Sequence, residues 1–83
     1  MMSWIEKDHS LEKTFEFTDF KHAMAFMTEC ALHVEQINHH PTWSNTYNTV
    51  HVKLHTHDAE YTVTEKDRKL ADIMDKVYKK YDS

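Results

Sequence analysis

Eighty-three residues without a single glycine restrict this chain more than any motif it carries. Reversals of direction have to be made by Asn, Asp, His or the one proline, Pro41, because these residues tolerate or pre-set turn geometry. Glycine-rich phosphate loops are excluded outright, since each needs a residue without a Cβ where backbone meets phosphate. Nucleotide binding of the Rossmann or P-loop kind goes with them.

What remains must fit one domain with a modest core, because a chain this short buries only somewhat more than roughly 60% of its unfolded surface. Self-association into a dimer or tetramer is the natural supplement. The formal charge of −4, from 14 acidic and 10 basic residues with no basic run, speaks against direct nucleic-acid binding. No apolar stretch approaches bilayer length, and no cationic leader with an apolar core opens the chain. A soluble cytoplasmic protein without membrane association is expected. Cys30, the only cysteine, can form neither an internal disulfide nor a Cys-based zinc site, and its place on an apolar helical stripe suits a small core residue.

Residues 3–7 and 11–18 read as short strands around a turn at Asp8-His9-Ser10, with Phe15 and Phe17 on one period-2 face. Thr18 or Asp19 can cap the helix that follows. Phe20, Ala23, Met24, Met27, Cys30, Ala31, Val34 and Ile37 form its apolar stripe, which leaves Phe26 on the other side. Asn38 and Pro41 end it. Residues 46–57 alternate as one long strand, with Val50, Val52 and Leu54 facing opposite to Tyr47, Thr49, His51, Lys53, His55 and His57. A turn over His57-Asp58-Ala59-Glu60 and a short return at Tyr61–Val63 complete the strands. Thr64 then caps a last helix with Leu70, Ile73, Met74, Val77 and Tyr81 inward. Glu65/Lys69, Asp72/Lys76 and Asp75/Lys79 fall at i,i+4 on its solvated side. The order β-β-α-β-β-α predicts an α+β fold: an antiparallel four-stranded sheet with two helices packed on one face.

The chemistry concentrates in Glu35, His39, His40, Pro41, Tyr47, His57 and Asp67. Each has a structural role open to it. Adjacent imidazoles suit a helix C-terminus, Glu35 precedes His39 by one helical turn, and Asp67 follows Thr64 by three residues as in a capping box. Together they suggest either acid–base chemistry or a metal site, since histidine exchanges protons near neutrality and is also a common zinc ligand. His51, His55 and His57 share a strand face, but neighbours two apart are separated by about 6.6 Å along a strand. His51 and His57 are then too distant to share one ion, and no metal is expected.

The run Asn38-His39-His40-Pro41-Thr42-Trp43-Ser44-Asn45-Thr46-Tyr47-Asn48-Thr49-Val50-His51-Val52, with Thr56-His57 and Asp67, closely resembles the pterin-4a-carbinolamine dehydratases. The resemblance extends upstream through Phe15–Phe20 and Ala25-Phe26-Met27 to Trp4, nearly the whole chain. It implies a single domain over 1–83 that lacks the N-terminal helix usual in that family. It also implies elimination of water from a 4a-hydroxytetrahydropterin to give the quinonoid dihydropterin, recycling the cofactor of aromatic amino acid hydroxylases. His39 and His57 would be the acid–base pair and His40 a helper. Glu35 and Asp67 would orient the rings, and Pro41, Trp43 and Thr56 would help to form the pterin site. No metal or other cofactor is implied. Animal members also act as dimerisation cofactors of a homeodomain transcription factor through helix surfaces, which makes a protein-binding module the competing expectation.

Overall fold

With no glycine available, the left-handed backbone positions among the described residues fall on Asp8, His9, Asn38 and Tyr47, at φ 50°, 65°, 51° and 50°. The computed structural model describes residues 3–56 and 62–81 and, among them, the order β-β-α-β-β-α. Strand β1 (Ile5–Lys7) turns through Asp8-His9 into β2 (Ser10–Glu16), with Lys7 opposite Ser10. A two-residue loop with both φ values positive is the geometry that matches strand twist. Asp19 caps α1 (Phe20–Ile37) by accepting from the His22 N–H at 2.9 Å. The helix stops at left-handed Asn38, where the Asn38 and His39 N–H groups both reach the Val34 carbonyl. Strands β3 (Thr42–Thr46) and β4 (Thr49–Leu54) and helix α2 (Glu65–Tyr81) follow.

The sheet runs β1-β2-β4-β3, antiparallel throughout. Register puts Leu11 opposite Leu54 and Phe15 opposite Val50, so the apolar rows of β2 and β4 share one face. Onto that face pack Ala23, Phe26, Cys30 and Val34 of α1 and Leu70, Ala71, Met74 and Val77 of α2, all buried. Glu12, Thr14, His51, Lys53 and Ser44 occupy the other face, left uncovered by the helices. Cys30 has no exposed surface, and burial pushes its thiol up to about 12.

Four local expectations are corrected. The long strand expected over 46–57 is β4 alone, Thr49–Leu54: the chain reverses at Tyr47-Asn48, Thr46 pairs with Thr49, and Thr42–Thr46 form a separate strand that was not expected. Asn45 holds this turn by donating to the Tyr47 and Thr49 carbonyls at 3.0 and 2.9 Å. Of the expected returning strand, Thr62 makes only an isolated bridge to Thr56, while the turn at 57–60 and Tyr61 lie outside the described residues. Helix α1 is rotated from its expected setting, so that Phe26 is fully buried while Phe20 and Met24 are 46% and 40% exposed. Its apolar stripe is wider than the core requires, and the flank carrying Phe26 meets Phe15, Phe17 and Tyr78 at centroid distances of 4.8–6.2 Å. Asp75, expected on a solvated face, instead binds Lys13 Nζ at 2.7 Å and the Trp4 indole N–H at 3.1 Å. It neutralises an ammonium that β2 points into the core.

Candidate active site

The end of α1 and the start of α2 meet through one carboxylate. Asp67 is the third residue of α2 and fully buried. Its Oδ2 accepts the Thr64 backbone N–H at 2.9 Å, half of a capping box. The same oxygen accepts the Thr56 hydroxyl at 2.7 Å. Oδ1 lies 2.6 Å from His39 Nε2. Thr56 is anchored by its own N–H on the Thr62 carbonyl at 2.8 Å, and its hydroxyl also touches that of Thr64. Among the described residues no buried side-chain polar atom lacks a partner.

Burial alone would raise the Asp67 pKa, but hydrogen bonds from His39, Thr56 and the Thr64 N–H together outweigh it and hold the carboxyl below 3.8. Asp67 is therefore ionised at neutrality and can only accept. The proton between it and His39 then sits on Nε2, and the neutral ring keeps its acceptor lone pair on Nδ1. With only a tenth of its side chain exposed, His39 is a clamped imidazole with one nitrogen available for proton exchange.

Glu35 does not reach His39 as its i,i+4 spacing suggested. It lies 3.3 Å from His40 Nε2, with both side chains exposed. Left-handed Asn38 breaks the helical register between them. Pro41 is half-buried, and Trp43 is half-buried against the core, opposite Val52. Tyr47 sits at the hairpin tip, 64% exposed. His57 lies outside the described residues. His51 contacts Thr14 at 2.9 Å and Glu12 at 3.4 Å, across the sheet face away from the helices. No cluster of three or more metal-ligating side chains occurs among the described residues. A cleft of about 710 Å³ lies elsewhere, between the Trp4–Lys13 edge and the C-terminal half of α2, and includes none of this constellation. Concavity and chemistry thus point to different places, and the buried, fully paired Asp67–His39 unit is the better guide to a reactive group. Sequence reasoning missed the hydroxyl of Thr64, although the Thr-x-x-Asp spacing was its visible signal.

Residues 1–77 match the family model for pterin 4 alpha carbinolamine dehydratase. The chain belongs to this family. It is 44% identical over 77 residues to a protein of Opitutus terrae provisionally named a pterin-4-alpha-carbinolamine dehydratase, covering 93% of this chain and 79% of the relative. A Rhizobium meliloti protein with the same provisional name is 51% identical over 77 residues, covering 90% and 73%. Among solved structures, a transcriptional coactivator/pterin dehydratase from Brucella melitensis superposes with a TM-score of 0.86 at 42% identity, covering 90% of this chain and 81% of that one. A pterin dehydratase-like protein described as a RuBisCO assembly factor of the alpha-carboxysome shares the fold, with a TM-score of 0.75 at 22% identity over 92% and 87% of the two chains. In this pterin-4a-carbinolamine dehydratase family member, no helix among the described residues is long and apolar enough to cross a membrane.

Proposed function

We propose that this chain dehydrates a 4a-hydroxytetrahydropterin to the quinonoid dihydropterin, and so returns the cofactor of a pterin-dependent hydroxylase to its cycle. The 4a-hydroxyl leaves as water after gaining a proton, while a ring-nitrogen proton is taken up by a base. The observation that carries this reading is the buried Asp67 carboxylate on His39 Nε2, which leaves Nδ1 as an oriented proton acceptor. His39 is the base in this scheme and His57, covalently next to Asp67-bound Thr56, is the acid. His40, held loosely by Glu35, assists binding, and Pro41 and Trp43 supply apolar surface to a flat bicycle. No metal, nucleotide or covalent intermediate is needed for this step.

The test is turnover of a 4a-hydroxytetrahydropterin by His39→Ala and His57→Ala. Each variant is expected to stay folded and to lose on the order of 10²-fold or more, the usual contribution of a positioned acid or base. Folded variants with full activity would refute the assignment.

A second reading, a protein-binding module, draws on one observation: Phe20, Met24 and Leu32 of α1 are 46%, 40% and 66% exposed. Phe20 and Met24 lie one turn apart on the flank that the core leaves uncovered, a surface for self-association into a dimer or tetramer or for a partner helix. A pull-down, alongside the dehydratase rate of the free protein, separates the two: a stable heteromeric complex with no turnover by the free protein favours the module.

A further inference from the structure

The hydroxyl contacts around Asp67 have a direction fixed by donor count. An ionised carboxylate donates nothing, so the single Thr56 proton must go to Asp67 Oδ2. The contact between the Thr56 and Thr64 hydroxyls can then be made only by Thr64 donating to Thr56. The result is an ordered chain: Thr64 O–H to Thr56 O–H to Asp67, which in turn accepts Nε2–H from His39. In such a chain each donation polarises the next hydroxyl and strengthens its bond. Thr56 is 6% exposed and Asp67 is fully buried, so no water substitutes freely for a lost link.

We infer that the Thr64 hydroxyl is a positioning residue for the dehydration, acting through Thr56 to fix the Asp67 carboxylate in place against His39 Nε2. This rests on the dehydratase reading above but makes a claim of its own about the carboxylate. Thr64 thereby has two separate duties. Its backbone N–H caps α2 through Asp67, and its side chain orders the proton network. Only the second is lost on changing the side chain, because any residue but proline supplies the N–H.

The experiment compares Thr64→Val, which keeps the shape, with Thr64→Ser, which keeps the hydroxyl. Thr64→Val is expected to lower kcat about 2- to 10-fold, the worth of one net hydrogen bond, with KM little changed. Thr64→Ser should restore it. In parallel, the His39 Nε2–H proton in substrate-free protein should be protected from solvent exchange in the wild type and Thr64→Ser, and should exchange faster in Thr64→Val as the carboxylate loses its fixed position. Should Thr64→Val fail to fold by circular dichroism, Thr64→Ala replaces it with the same readouts. An unmoved Nε2–H exchange rate in the hydroxyl-free variant overturns the inference, as does impairment of Thr64→Ser equal to that of Thr64→Val. The exchange readout needs no substrate, so an inactive wild type whose Thr64→Val variant shows the faster exchange refutes the dehydratase reading alone.

Discussion

Replacing Asp67 with Asn keeps volume and shape but removes the charge and turns one acceptor into a donor. Thr56 O–H and Thr64 N–H both point at the Oδ2 position, 2.7 and 2.9 Å away. An amide nitrogen placed there would face two donors at a buried site, at about 1–3 kcal/mol for each group left unsatisfied. The amide therefore keeps its oxygen towards the threonines and turns its NH2 to His39. That ring can then accept only by moving its proton from Nε2 to Nδ1, which occupies the lone pair the reaction uses. A wrong tautomer imposed by the same exchange costs roughly 10⁴-fold in serine-protease triads. A second histidine in the proposed pair shares the chemistry here, so the expected loss of kcat is roughly 10²–10⁴-fold.

Stability falls less. The three hydrogen bonds survive without charge assistance, a loss of about 1–3 kcal/mol, or about 4–8 °C in Tm for each kcal/mol in a domain this size. Because folding lowers the Asp67 pKa, this contribution is fully present above the unfolded value near 3.8 and fades as pH falls through the folded value. The Tm gap between wild type and Asp67→Asn should thus begin to close as pH falls below about 4. Two assays decide the matter: dehydration kinetics, and thermal melts across pH. Wild-type turnover in Asp67→Asn with Nε2 still protonated would refute the reasoning, and a Tm gap independent of pH down to about 2 would refute its electrostatic part.

Other expectations follow from the rest of the molecule. Lys13 is 10% exposed at its side chain and Asp75 38%, so removing the acid strands the more deeply buried charge. Asp75→Ala should cost about 1–3 kcal/mol in urea unfolding, Lys13→Met less, and the double variant less than the sum; equal and additive losses would contradict this. Tyr47 holds a left-handed backbone at φ 50° with a ring 64% exposed. Tyr47→Asn should gain about 0.5–1 kcal/mol, because Asn enters that region at lower cost and little burial is lost; a destabilised variant would show that the ring is packed. Cys30, with its thiol near 12, should resist a disulfide reagent at neutral pH in the native protein and react stoichiometrically in guanidinium.

What could be seen in the sequence was whatever a short periodic pattern encodes. Alternation at Val50, Val52 and Leu54 revealed β4, the caps at Asp19 and Asn38 bounded α1, and the Thr-x-x-Asp spacing placed Asp67 at the start of α2. Strand β3 was hidden because it is an edge strand, where Trp43 is the one large apolar side chain turned inward. Its hairpin was hidden because Tyr47 takes a conformation that usually announces itself with Asn or Gly.

The error over Glu35 explains how the site is made. Spacing of i,i+4 pairs side chains only while the helix continues, and it ends at Ile37, two residues before His39. Left-handed Asn38, at φ 51° and ψ 45°, redirects the chain so that His39 turns inward to α2 and His40 is left beside Glu35. In most chains that position would be filled by glycine. Here Asn does the work, and the pairing of His39 with a carboxylate 28 residues away depends on it. The acid–base unit is therefore a product of two helix termini: a left-handed C-cap delivers the imidazole, and an N-terminal capping box delivers the ionised carboxylate.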